Sequence, residues 1–171
     1  MMSSAILINS GALVDPFNLD SVQIDPVTLI KPLAKLCRYT GQCNRFYSVA
    51  EHTVHLINAV PFPLKRAVAL HDLNEGLTND LPRPFKQRLP EYVDFEKTVQ
   101  QWIFRQFDEP WENMAAIASY DFNICADEMA QLFDEPFILE GATPLGIKIE
   151  GWDWKTAETK LLNAFKFLGL I

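Results

Sequence analysis

Two prolines one residue apart, in Pro61-Phe62-Pro63, divide a pair of apolar helical runs, and no other stretch limits the possible folds as much. Ahead of them, Ser48-Val49-Ala50-Glu51 reads as a capping box, with serine at the N-cap and glutamate three residues on. It starts a helix carrying His52, Val54, His55 and Leu56 that ends before Pro61. Behind them, Pro63 opens a second helix, expected from Leu64 to about Gly76. Proline ends such runs because it lacks an N–H and its ring clashes with the preceding turn. A connection this short makes the two helices antiparallel neighbours. The chain has only three histidines, and His52 and His71 fall one on each helix.

The second helix carries Ala69-Leu70-His71-Asp72-Leu73-Asn74-Glu75. Positions three and four apart share a helix face, so Glu75 is expected over the same patch of space as His71 and Asp72. If the two helices face each other, two imidazoles and Asp72 converge in a helical core. Imidazole nitrogens with a carboxylate suit a divalent metal, and Glu75 beside them suits proton transfer. Asp121, among Ile117, Ala118, Tyr120, Phe122 and Ile124, is the natural closing ligand, since a buried carboxylate without a partner is costly.

The remaining segments are helical apart from the start. Ala5–Ile8 and Ala12–Val14 flank Asn9-Ser10-Gly11 and predict a short β-hairpin. Asp25 is expected to cap a helix with Pro26 at its first position, continuing to about Cys37 past Pro32. Arg38–Phe46 reads as a polar loop, and Asp80–Lys86 as a loop stiffened by Pro82 and Pro84. Tyr92, Phe95, Val99, Trp102, Ile103 and Phe107 keep helical spacing, an aromatic stripe for the core or for a subunit interface. Further helices are expected over about 112–133 and 153–168, joined by a connector, 135–152, with short extended segments. With no repeat and no long linker, residues 1–171 read as one all-α domain bearing a small N-terminal β-hairpin.

A formal net charge of -7 argues against binding a nucleic acid polymer, which needs a basic face. It leaves room for a small anionic substrate held by a few focused cations. Three cysteines are too few for a disulfide framework and are expected as packing residues. No stretch reads as a membrane span or a signal peptide, so a reduced cytoplasmic setting is expected.

The set His52, His71-Asp72 and Asp121 resembles the HD-domain superfamily of metal-dependent phosphohydrolases. The resemblance extends to Arg38-Tyr39-Thr40-Gly41, to Phe46–His52, to His71–Lys86, to Glu128 and to Gly151-Trp152. It is strongest toward the bacterial 5'-deoxynucleotidases and small bacteriophage dATP triphosphohydrolases. Asn79, where the family pattern has glycine, and Leu73-Asn74 depart from it. The resemblance implies an HD-domain helical bundle with His52, His71, Asp72 and Asp121 as ligands to Mn, Co, Fe, Ni, Zn or Mg. Glu75 would position a water or pass a proton, and Asp80 would bind the sugar hydroxyl or orient Glu75. Arg38 and Lys86 would hold phosphates, and Tyr39 would stack on or select the base. Asp127 and Glu128 are expected as surface or supporting groups, not ligands, and His55 as packing. The implied substrate is a deoxynucleotide, dATP over a monophosphate, in the cytoplasm of a bacterium or a phage-infected host. A homo-oligomer is expected from the aromatic stripe. A two-histidine, one-carboxylate iron oxygenase and a non-catalytic nucleotide sensor are the competing classes.

Overall fold

The computed structural model describes residues 5–21, 25 and 27–171. Its centre is a helix buried on every side: each residue from Val49 to Ile57 is buried within α2 (Val49–Ala59). Such a helix can carry polar residues only where each finds a partner. Ser48 Oγ accepts from the Glu51 N–H at 3.1 Å, so the serine half of the capping box forms as expected. The Glu51 carboxylate is used differently: it accepts from the backbone N–H groups of Glu150, Gly151 and Trp152. Thr53 returns its hydroxyl to Val49 O at 2.9 Å.

Against α2 pack α1 (Val27–Leu33), α3 (Lys65–His71), α7 (Asn113–Gln131) and α8 (Trp154–Phe167), and α6 (Pro90–Gln106) packs on α3. One core cluster draws residues from Val14 to Leu170. The hairpin forms as β1 (Ile6–Leu7) against antiparallel β2 (Leu13–Val14), pairing Ile6 with Val14 and Leu7 with Leu13. Asp25 Oδ1 accepts from the Val27 N–H at 3.0 Å, as a cap should, while Pro26 lies outside the described residues. The first helix stops at Leu33, short of the expected Cys37, with Pro32 in its last turn. The aromatic stripe of α6 is turned inward, with Val99, Trp102 and Ile103 in the core and Phe95 and Phe107 packed against it. It is therefore internal packing, not an open surface.

Arg66 joins two helix ends. Its guanidinium donates to Phe107 O at 2.9 Å and Leu168 O at 3.1 Å, the C-cap carbonyls of α6 and α8. A cation there satisfies orphan carbonyls and complements the negative ends of both helices.

The expected helix 64–76 is broken. α3 ends at His71, Asp72 has φ -107° and ψ 7°, and a separate turn, α4 (Glu75–Thr78), follows. Glu75 N bonds Asp72 O at 3.0 Å, and the His71 carbonyl instead accepts from the Gln100 side chain of α6. Asp and Asn compete for backbone groups and tolerate such a break. Gly76 is consequently not a helix terminator but sits inside α4, where a Cβ would meet Leu29 O of α1 at 3.0 Å. The terminator is Asn79, at φ 68° and ψ 159°. Past it, the stiffened loop closes into one turn of helix, α5 (Arg83–Lys86).

No strand forms among the described residues of the 135–152 connector. Its backbone is held by side chains from a single row of α7. Asn123 Oδ1 takes Thr143 N–H, Asp127 takes Leu145, Gly146 and Ile147 N–H, and Gln131 bonds Ile147 O and Ile149 N–H. Glu51 continues the row onto α2. Side chains at i, i+4 and i+8 thus do the work of a partner strand, which a search for alternating hydrophobicity does not detect.

Candidate metal centre and cleft

His52 and His71 meet across the α2–α3 pair, with their Nε2 atoms 3.4 Å apart. Asp72 Oδ2 lies 3.1 Å from His71 Nε2 and 3.6 Å from His52 Nε2. Asp121 Oδ1, from α7, lies 3.2 Å from His52 Nε2 and 3.6 Å from His71 Nε2. His52, His71 and Asp72 each offer a ligand atom within 4.8 Å of the others, a group able to hold a metal ion. The break after His71 matters here: it frees Asp72 from the helix so that its carboxylate turns toward the imidazoles of its own and the preceding helix.

Both ring orientations follow from what stands behind them. His71 Nδ1 is 2.6 Å from Val68 O, and His52 Nδ1 is 2.7 Å from Glu128 Oε1. A carbonyl and an ionised carboxylate only accept, so each Nδ1 carries a proton, and Nε2 is the nitrogen that each ring turns toward Asp72 and Asp121. A backing acceptor of this kind is the usual partner of a metal-binding imidazole.

The electrostatics divide the site in two. Burial opposes charge on both imidazoles, yet Glu128 and Asp121 leave His52 raised, and Asp72 and Asp121 leave His71 well above its ordinary value. Burial likewise works against the carboxylates, but His71 holds Asp72 low, and hydrogen bonds from His52 and His71 hold Asp121 far below the usual range. Glu75 behaves oppositely: burial first, then the charges of Asp72 and Asp80, push it well above the carboxylate range. Its Oε2 is buried with no hydrogen-bond partner among the described residues. Asp80 is raised as well, again chiefly by burial.

These groups open into a cleft of about 400 Å³ lined by Arg38, Tyr39, Asp72, Glu75, Asp80 and Lys86. Phe122, Cys125, Met129 and Leu139 give it an apolar wall. All nine residues singled out from sequence therefore belong to one site, although not all are free. Arg38 donates to Glu128 Oε2 at 3.2 Å, and Lys86 Nζ donates to Glu96 Oε1 at 2.7 Å. Tyr39 presents its ring to the cleft, but its hydroxyl donates to Glu128 Oε2 at 2.5 Å and its edge packs on Phe133. Of the weaker basic candidates, Arg83 lies over the Phe122 ring in the cleft, whereas Arg45 donates to Gln131 O. His55 packs on Trp152 and bonds Glu51, as expected for a packing residue. Burial raises the Cys43 and Cys125 thiols to about 11, in keeping with unreactive packing groups.

Glu128, expected from sequence only as a surface or supporting group, is a supporting group at the centre of the site. It is wholly buried and receives His52 Nδ1, Tyr47 Oη, Tyr39 Oη and Arg38 Nη2. The available signal was its spacing: seven residues from Asp121, two turns along the same face of α7. Tyr47, fully buried beneath it, carried no comparable signal.

No protein-family model matches the chain. It is similar to the uncharacterized protein YfdR of Escherichia coli (strain K12), at 29% identity over 118 residues. That match covers 69% of this chain and 65% of the relative, just under two thirds of the relative's length. No helix among the described residues is long and apolar enough to cross a membrane.

Proposed function

We propose that this chain is a metal-dependent phosphohydrolase of the HD-domain type acting on deoxynucleoside phosphates. The observation that carries the reading is the convergence of two imidazole Nε2 atoms and two carboxylates beside Glu75, whose buried Oε2 has no partner among the described residues. The donor set fits a divalent ion: two nitrogens and two carboxylates, with the far side of each ring already anchored. His52, His71, Asp72 and Asp121 would hold it. The cleft sets four carboxylates, Asp72, Glu75, Asp80 and Asp121, against Arg38, Arg83 and Lys86, so a bound cation also makes it hospitable to a phosphate. When bound, such an ion supplies Lewis acidity toward a phosphoryl oxygen and an activated water near neutral pH.

The chain's own residues do the rest. Glu75, pushed well above the usual carboxylate range by burial and by Asp72 and Asp80, suits proton transfer to or from the reacting oxygens. Asp80 borders it in the cleft and would take a sugar hydroxyl or keep Glu75 oriented. Arg38 and Lys86 would draw the phosphates in, each already steadied by a glutamate. The deoxynucleoside triphosphate reading, dATP cleaved to deoxynucleoside and triphosphate, rests on the resemblance of the motifs. A second reading, release of phosphate from a deoxynucleoside monophosphate, is favoured by the pairing of Arg38 with Glu128 and Lys86 with Glu96. That pairing leaves fewer unpaired cations for three phosphates. Incubation of Mn²⁺-loaded protein with dATP and with dAMP, followed by identification of the phosphate product, decides between them. Inorganic triphosphate from dATP supports the first, and orthophosphate from dAMP alone the second. No phosphate release with any divalent metal refutes the phosphohydrolase reading.

A further inference from the structure

Glu128 is the most heavily used side chain of the site and no step of the proposed chemistry calls on it. Each of its oxygens takes two donors. Oε1 receives His52 Nδ1 at 2.7 Å and Tyr47 Oη at 2.8 Å, and Oε2 receives Tyr39 Oη at 2.5 Å and Arg38 Nη2 at 3.2 Å. An ionised carboxylate has about four lone-pair positions, so this one is saturated. The four donors belong to different parts of the molecule. His52 and Tyr47 belong to α2 and the strand-like approach to it, where Ser48 pairs with Cys37. Arg38 and Tyr39 belong to the tight turn 38–41, in which Tyr39 and Thr40 take the left-handed backbone at φ 55° and 53°. A β-branched threonine in that region is strained and persists only where its surroundings hold it.

We infer that Glu128 is a positioning residue that couples the metal centre to the phosphate-facing turn. From one side it holds the Nδ1–H of His52, so that Nε2 is the nitrogen turned toward His71 and the two aspartates. From the other it holds Arg38 with Nη1 3.9 Å from Asp72, at the cleft wall. The inference deepens the proposed function and rests on it for the identity of the metal site.

The chemistry of the four donors sets what Glu128→Gln does. An amide keeps one accepting atom and turns the other into a donor. The guanidinium of Arg38 can only donate, so the amide oxygen stays on its side. The amide NH₂ then faces His52 and Tyr47. Tyr47 can rotate its hydroxyl to accept, and His52 can accept only by moving its proton from Nδ1 to Nε2. A protonated Nε2 cannot bind a metal. Loss of such a backing partner lowers metal affinity by about 10–100-fold.

The test combines ¹⁵N NMR of the histidine rings in metal-free protein, at a pH where they are neutral, with Mn²⁺ titration by calorimetry. With three histidines the ring signals are assignable by single substitutions. The expected results are an Nδ1–H His52 in the wild type, an Nε2–H His52 in E128Q, and Mn²⁺ binding about 10–100-fold weaker in that variant. E128D, which keeps four accepting positions, retains the Nδ1–H form. A wild-type His52 already protonated on Nε2 overturns the inference without recourse to any variant, whether or not E128Q folds. Mn²⁺ binding unchanged in folded E128Q overturns the coupling while leaving the metal centre standing. Wild-type protein that binds no divalent metal overturns both.

Discussion

Asn79 occupies a backbone conformation that only glycine adopts freely, which makes Asn79→Gly the sharpest stability test. At φ 68° and ψ 159° it lies outside the left-handed helical well that asparagine tolerates. Holding a residue with a Cβ there costs about 1–3 kcal/mol. Against that, glycine adds freedom to the unfolded chain worth about 0.5–1 kcal/mol. The balance predicts a gain of about 1 kcal/mol, or roughly 2–4 °C in melting temperature for a domain of this size. Nothing else is lost. Asn79 N bonds Glu75 O at 2.9 Å, Asn79 O accepts from Tyr92 Oη at 3.1 Å, and both are backbone groups that glycine keeps. The Asn79 side chain is exposed. Urea titration and a thermal scan measure the effect, with an unchanged denaturant slope indicating an unchanged unfolded state. Asn79→Ala, which keeps the Cβ, gives no gain. A midpoint lowered by glycine would show that the turn is unstrained and that the side chain contributes something else.

Glu75→Gln is expected to keep metal while slowing phosphate release by about 10²–10⁴-fold, measured by steady-state kinetics beside elemental analysis. Full activity in that variant removes Glu75 from proton transfer. Asp72→Ala instead loses the metal, read directly from the metal content of purified protein, because it removes one of the carboxylates facing both imidazoles. Gly151→Ala destabilises by about 1–3 kcal/mol: the residue sits at φ 74°, and its new Cβ meets Arg45 Cδ at 2.9 Å and Phe46 O at 3.2 Å. An unchanged urea midpoint counts against this. Acid should weaken the fold through Glu128. Burial works to raise it, but Arg38, His52 and its hydrogen bonds hold it at about 2 against an ordinary 4.5. A depressed folded value stabilises above the unfolded one and is lost on acidification. On the order of 3 kcal/mol should therefore disappear as pH falls from about 4.5 toward about 2. Urea midpoints across that window measure it, and E128Q should remove this part of the slope.

Much of the molecule could be read along the chain because it depends on local chemistry. The prolines at 61 and 63 separate α2 from α3, Ser48 caps α2, and Gly11 turns the hairpin, each through constraints within a few residues. The nine singled-out side chains were legible through their residue types and the resemblance of their motifs. The break at Asp72 was not, because it depends on Gln100 taking the His71 carbonyl from a helix far along the sequence. The strap held by Asn123, Asp127 and Gln131 escaped for a related reason: its pairing is side chain to backbone and leaves no alternation in the strap itself.

Sequence alone determined that His52, His71 and Asp121 lie on helical segments able to meet, with Asp72 next to His71. Local propensities and turn chemistry suffice for that. Tertiary structure decided how they meet. The ring tautomers depend on Val68 O and Glu128 standing behind them, and the raised Glu75 on burial among Asp72 and Asp80. Which acceptor stands behind each ring nitrogen, and which carboxylate is raised and which lowered, are set by neighbours distant in the chain. Electrostatics and hydrogen bonding act through space, and only the folded packing establishes those distances.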